Sequence, residues 1–194
     1  METYFEGRDF QGKKLQGEVL EGLQFVDCTF TDCSLDACTL RHCDFSGCAF
    51  LRCRVTSLKV ESSQIKFGEF TECALTGINW GLLQPAGRFS EPISRMERCR
   101  LKYNSFSSLN LARFDFSGSE LVESMFAECK LTESNFQDCS LQNTEFFQCD
   151  LRKADFRRAV GYRIDVLTNK VKDARFSLPE AIRLLGPLGV KIDE

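Results

Sequence analysis

Between Phe25 and Phe50 a bulky apolar residue stands at every fifth position: Phe25, Phe30, Leu35, Leu40, Phe45 and Phe50. Cys28, Cys33, Cys38, Cys43 and Cys48 each stand two residues before the next of them. A step of five excludes the common elements. On an α-helix, at about 100° per residue, it advances the apolar positions by about 140° and smears them around the cylinder. On a flat strand, i and i+5 point to opposite sides. The chain that keeps every fifth residue inward is a run of short extended pieces turning a corner in each five, so that the backbone winds around its own apolar column as a solenoid. Within each piece i-2 points to the same side as i, which places the cysteine series inward as well.

The count extends in both directions. It runs Phe5, Phe10, Leu15, Leu20, the six residues above, then Val55, Val60, Ile65, Phe70, Leu75 and Trp80, sixteen positions without a polar exception. It resumes, shifted by one, at Met96, Leu101, Phe106, Leu111, Phe116, Leu121, Phe126, Leu131, Phe136, Leu141, Phe146, Leu151 and Phe156, thirteen more. In the first half the order Phe, Phe, Leu, Leu recurs after twenty residues, as stacking of like residues on a four-sided coil requires. The pattern, with local motifs such as Cys43-Asp44-Phe45-Ser46-Gly47, Cys149-Asp150-Leu151-Arg152-Lys153 and Ala154-Asp155-Phe156-Arg157-Arg158, resembles the pentapeptide repeat family over roughly four fifths of the chain. The resemblance implies an all-β solenoid, a right-handed quadrilateral β-helix with four pentapeptides per coil.

Two domains are expected: residues 1–159 as the repeat β-helix, interrupted at 81–95, and residues 160–194 as a capping and dimerisation segment. Trp80 to Met96 is sixteen residues, one more than three repeats require. Leu83, Phe89 and Ile93 suit an irregular bulged stretch that still covers three faces, while Pro85, Gly87 and Pro92 suit a loop that leaves the rod. In the tail, Ser177-Leu178-Pro179-Glu180 has capping-box spacing, which predicts a short helix over Ala181 to Leu185 that stops at Gly186-Pro187. Leu188 to Ile192 alternates like a strand. An open solenoid end leaves apolar rungs and backbone unpaired, so the tail is expected to cap the rod.

Eleven cysteines suggest disulfides or zinc, yet every one falls at i-2, where Ser124 and Ala154 also occur. The position selects a small side chain, and free thiols are expected there. No stretch of about 18 apolar residues is present to span a membrane. The N-terminus lacks the basic start and apolar run of a signal peptide, so a cytoplasmic protein is expected. The one histidine, His42, is predicted at the surface. With no Gly-rich phosphate loop, His cluster or nucleophile motif, the reading is of a non-enzyme without metal or cofactor.

Charge is more informative in its distribution than in its net value of -3. Between Phe114 and Gln148 seven acids, Asp115, Glu120, Glu123, Glu128, Glu133, Asp138 and Glu145, face one base, Lys130. Glu123, Glu128, Glu133 and Asp138 occupy i+2 on four consecutive rungs, an acidic girdle around one coil. Basic bands flank it: Arg95, Arg98, Arg100, Lys102 and Arg113 before, Arg152, Lys153, Arg157, Arg158 and Arg163 after. Such banding is expected to orient a charged partner. Direct nucleic-acid binding is disfavoured by the acidic balance and the shortness of the basic bands.

The resemblance is greatest to the family members that protect bacterial type II topoisomerases: Qnr-type quinolone-resistance proteins and albicidin and microcin immunity proteins. It implies a DNA mimic that binds DNA gyrase or topoisomerase IV and confers resistance or immunity to their poisons. The seven acids would stand in for the duplex, whose charge repeats about every 1.7 Å of axis. It also implies a homodimer through the C-terminus, with Leu184, Leu185, Leu188, Val190 and Ile192 in contact. The second reading is a non-catalytic protein-interaction scaffold with no topoisomerase partner, since fold alone does not set function and the girdle is local.

Overall fold

A left-handed residue closes nearly every five-residue step of this chain. A computed structural model describes residues 2–83 and 92–190. In a typical step the residues i-1 to i+1 are extended, and i+2 has positive φ, as at Asp27 (φ 50), His42 (φ 51) and Glu128 (φ 56). That residue swings the chain round a corner. The conformation disfavours a residue with a Cβ, and the ladder holds it: Gln24 N–H donates to Thr3 C=O at 2.7 Å and Asp27 N–H to Ser46 C=O at 2.8 Å.

Twenty residues return the chain to its starting side, so parallel partners differ by twenty: Phe5 with Phe25, Phe25 with Phe45, Phe45 with Ile65. This side is face 1, continued in the second half by Leu111, Leu131, Leu151 and Val171, whose preceding residues bridge in series. Face 2 carries Phe10, Phe30, Phe50, Phe70 and Met96, then Phe116, Phe136, Phe156 and Phe176. Face 3 carries Leu15, Leu35, Val55, Leu75, Leu101 and Leu121, then Leu141. Face 4 carries Leu20, Leu40 and Val60, then Trp80, Phe106, Phe126, Phe146 and Ile164.

This register corrects the reading of the interruption. Trp80 stacks on Phe106, with ring centroids 6.0 Å apart, and therefore lies on face 4, whereas Met96 pairs with Phe70 on face 2. Two sides separate them rather than three, so the surplus is six residues and not one. Leu83 and Ile93 are buried at its two ends. Residues 84–91, with Pro85, Gly87 and Phe89, lie outside the described residues.

The two halves pack differently. In the second half phenylalanines occupy the opposed faces 2 and 4 and leucines faces 1 and 3, and the core is full: Phe106, Phe116, Phe126 and Phe136 are each 0 % exposed. Rings stack along a face, as Phe126 on Phe146 at 5.0 Å and 4°, and meet edge-on across the column, as Phe116 with Phe126 at 5.7 Å and 79°. Both arrangements favour the ring quadrupoles. In the first half phenylalanines line the adjacent faces 1 and 2, and Leu or the smaller Val lines faces 3 and 4. There the rings meet edge-on between adjacent sides, as Phe25 with Phe30 at 5.3 Å and 72°. Phe30, Leu35 and Phe50 are only half-buried although coils lie on both sides of them.

The i-2 column does more than fill space. Its side chains donate to the carbonyl of a rung one coil back: Cys28 Sγ to Phe5 C=O at 3.5 Å, Cys139 Sγ to Phe116 at 2.9 Å, Thr144 Oγ1 to Leu121 at 2.5 Å and Asn104 Nδ2 to Leu75 at 2.8 Å. Most Cys, Thr and Asn residues at the site use their donor in this way, while Leu23, Leu58, Ile78, Leu109, Phe114 and Ala154 fill the same column without one. All eleven cysteines are buried free thiols. Burial pushes Cys48 up to about 11 and Cys139 up to about 12, so neither presents a thiolate near neutrality.

Parallel pairing continues past Phe156. Gly161 takes the next rung position at φ +80, where a Cβ would meet the Gln142 backbone at 2.8 Å, and the neighbouring Tyr162 is buried instead. Phe176 stacks on Phe156 at 5.2 Å. A 3-10 helix, Glu180–Leu188, then covers the end. The expected capping box does not form. Ser177 Oγ accepts from Arg158 N–H and Glu180 Oε2 from Gly161 N–H, so both side chains hold the helix to the last coil rather than to each other. The helix runs beyond Gly186-Pro187, and Leu188 ends it instead of opening a strand.

Candidate protein-binding face

The corner geometry decides what the girdle is. Glu123, Glu128, Glu133 and Asp138 each have positive φ, at 49°, 56°, 61° and 58°, and follow rungs of faces 3, 4, 1 and 2 in turn. They occupy four different corners of one turn and point in four directions. A partner lying against one side of the rod meets at most two of them.

Arginines one coil away compensate half of the ring. Arg113 Nε donates to Glu133 at 3.1 Å, and Arg158 Nε donates to Asp138 at 2.6 Å. The Arg158 guanidinium holds the Asp138 carboxyl below the usual carboxylate range. Much of the flanking basic bands is likewise paired: Arg98 with Glu72 and Glu97, Arg152 with Asp150, Arg157 with Asp155 and Arg163 with Glu145. Such exposed pairs add little to stability, but they cancel the field that the bands would project.

The remaining sequence-predicted acids divide by side. Asp115, on face 2, accepts from Ser117 N–H at 2.9 Å. Glu120 lies on face 3, and neither it nor Glu123 has an ion-pair partner among the described residues. Among the described residues Glu128 accepts from Ser108 Oγ, at 3.5 Å, and from no cation. Glu145 lies on face 4, 3.3 Å from Arg163. Among the described residues, the acids of this set without a cation are thus Glu123 and Glu128, at the two edges of face 4, with Glu120 on the adjoining side and Asp115 apart from them.

Between those edges face 4 displays large apolar side chains that charge counting overlooked. Met125 is 41 % and Phe147 49 % exposed, and Tyr103, on the same edge as Glu123, is 55 % exposed. Their rows adjoin: Ser105 pairs with Met125 and Met125 with Glu145, while Ala127 pairs with Phe147. The signal lay in the ladder itself. These three stand at i-1, i+1 and i+2, outward positions where a large apolar residue has no part in the core. Met and aromatic residues bounded by polar ones are the composition of a protein contact.

Of the residues expected at a dimer contact, Leu184 packs half-buried against the rod's core. Leu185, Leu188 and Val190 are exposed, and Ile192 lies outside the described residues. His42 is exposed at a corner. Among the described residues no cluster of His, Cys, Asp or Glu has the grouping to hold a metal ion, and no helix is long and apolar enough to cross a membrane.

The fold is a parallel, four-sided β-solenoid with outward corners and a 3-10 helix over its far end. The chain belongs to the pentapeptide repeat family: the pentapeptide repeat region matches residues 5–85 and 94–160. No curated protein matches it. Among solved structures, it is similar to full-length QnrB1, a plasmid-mediated fluoroquinolone resistance protein, at 18% identity over 96% of this chain and 100% of that one, TM-score 0.33. It is also similar to HetL, a pentapeptide repeat protein involved in heterocyst differentiation regulation from the cyanobacterium Nostoc sp. strain PCC 7120, at 10% identity over 88% and 84%, TM-score 0.43. Rfr23, a pentapeptide repeat protein from the cyanobacterium Cyanothece 51142, is 10% identical over 89% and 86%, TM-score 0.18.

Proposed function

We propose that this chain is a non-catalytic binding rod whose protein partner docks on face 4 of the second half, and that the partner is a bacterial type II topoisomerase, DNA gyrase or topoisomerase IV. The observation that supports it is the pairing of exposed Met125, Phe147 and Tyr103 with Glu123 and Glu128, carboxylates that no cation neutralises among the described residues. A basic surface that normally holds duplex is complementary to those edges, and the apolar strip supplies contact area. The mimicry is then of one face over a coil or two, not of a duplex along the whole rod. Its consequence is displacement of DNA or release of a poisoned complex, and with it resistance or immunity to the poison. A C-terminal homodimer through Leu185, Leu188 and Val190, in the cytoplasm, belongs to the same proposal.

A second reading has its own support. The compensated ring and the apolar strip equally suit a scaffold with an uncharged partner. A supercoiling assay with a poison present tests the first: protection or inhibition at micromolar protein, lost with Glu123→Lys and Glu128→Lys together, is the expected result. No effect at that concentration removes the topoisomerase. Salt separates the two, since affinity for a basic groove falls steeply with ionic strength while an apolar contact holds.

A further inference from the structure

Stacking sorts charge by side as well as by coil. On faces 1 and 2 of the three coils between Lys130 and Ser177 the outward positions hold eight cations against five acids, whereas faces 3 and 4 between them hold Arg163 against Glu145 and Asp165. Four of the five acids are met by arginines: Glu133 by Arg113, Asp138 by Arg158, Asp150 by Arg152 and Asp155 by Arg157. That leaves Lys130, Lys153, Lys170, Lys172 and Arg175, all exposed and none within ion-pair distance of a carboxylate among the described residues. Lys170 only adds to the field that Arg152 already places on Asp150. The one acid left among them is Asp173. The five cations form one patch. Lys130, Asp150 and Lys170 bridge in series on face 1, and Lys172 follows two residues on. At the corner Lys153 N–H donates to Lys172 C=O at 3.0 Å, and Arg175 pairs with Asp155 where face 2 begins.

What surrounds the cations narrows the occupant. Between Lys130 and Ser177 no large apolar residue stands at an outward position of faces 1 and 2, so a peptide side chain finds no anchor there and an unstacked base no platform. The neutral outward residues are Thr132, Asn135, Gln137 and Ser177, which with Lys and Arg are the types that contact phosphate and sugar. Three coils at about 4.8 Å per step give the patch a rise of about 10 Å. Over that distance a duplex, with one charge per about 1.7 Å of axis, presents about six phosphates. No helix or hairpin among the described residues stands out from these faces to enter a groove and read base edges. We infer that this side of the rod binds a nucleic-acid duplex along its phosphate backbone, without reading its sequence. The expectation against nucleic acid rested on the charge of the whole chain, whereas the stacked coils confine an excess of cations to two sides. The patch lies on other sides than the face 4 strip and does not rest on the partner proposed above.

Fluorescence anisotropy of a short labelled DNA duplex titrated with the full chain tests this. Five phosphate contacts at about -0.9 each predict a slope near about -4 for log affinity against log salt. No binding at about 100 μM protein in low salt overturns the proposal. Lys170→Gln with Lys172→Gln should weaken binding about tenfold and flatten the slope by about two. Lys14→Gln with Arg54→Gln removes the same charge from exposed positions on face 3 of the first half and should change neither. Equal losses from the two pairs, each shown folded by circular dichroism, would mean that net charge acts and not the patch. Two unrelated duplex sequences should bind within about twofold, and a preference above about tenfold overturns the backbone reading. Duplex RNA offers the same backbone chemistry, so binding of either duplex sustains the inference, while a single strand bound more tightly than both overturns it. Polyglutamate or phosphatidylglycerol vesicles that displace the duplex at equal charge concentration would put an acidic polypeptide or a membrane in its place, and either result overturns the inference as stated.

Discussion

Arg158 meets Asp138 through two hydrogen bonds, Nε to Oδ1 at 2.6 Å and Nη2 to Oδ2 at 2.7 Å, between corners of consecutive coils. A carboxylate so occupied has little left to offer a partner. Changing Asp138 and Glu133 together to Asn and Gln should leave partner affinity within about twofold, whereas Glu123→Lys with Glu128→Lys should reduce it by more than about tenfold, a shift of about 1.4 kcal/mol. Titration calorimetry with the purified topoisomerase measures both. Equal losses from the two pairs would mean that the ring acts as a whole.

Removing Phe147 and Met125 as alanines tests the strip without touching charge. Both are half-exposed, so the thermal midpoint should hardly move, while binding weakens by about 1–2 kcal/mol if they are anchors. Loss of binding without loss of folding is the expected pattern.

The two halves should answer core truncation differently. Phe126 is fully enclosed between Phe106 and Phe146, so Phe126→Ala should cost about 3–5 kcal/mol. Phe30 already borders a hollow, and Phe30→Ala should cost less, nearer about 2 kcal/mol, because fewer packed contacts are forfeited. Urea unfolding followed by circular dichroism compares them. The transition need not be two-state in a rod whose coils touch only their neighbours.

Corner strain offers a stabilising change. Phe67 has φ 54 and is 49 % exposed, a conformation that a bulky residue adopts at a cost and asparagine tolerates. Phe67→Asn should raise stability by about 0.5–1 kcal/mol, visible as a higher melting temperature.

Acid should loosen the far end first. Arg157, with help from Gln137 and the Arg157 backbone, holds Asp155 down to about 2. A carboxyl whose folded value lies below its unfolded value, about 3.9, stabilises the fold fully above the unfolded value and loses that contribution as pH falls from about 4 to about 2. Asp155→Asn should flatten this part of the melting temperature profile between those limits. An unchanged profile would show that the pair carries no stability.

What could be read from the amino-acid order was whatever depends on repetition. An unbroken apolar step of five, with small residues at i-2, admits one kind of winding, so the solenoid, its twenty-residue turn, the inward cysteines and the outward girdle all followed from local spacing. Even the corner position of Glu123 to Asp138 was implicit, since i+2 is where each side ends. The tertiary structure decided everything that depends on which side meets which: that Trp80 lies over Val60 and Phe106 and not a side further on, that Ser177 and Glu180 turn to the last coil, that Arg113 and Arg158 neutralise half the ring, and that Met125 and Phe147 share a face. It also decided that the first half is hollow. Spacing sets direction for each residue separately, whereas partners twenty or twenty-six residues apart, and the space left between opposed side chains, exist only once the coils are stacked.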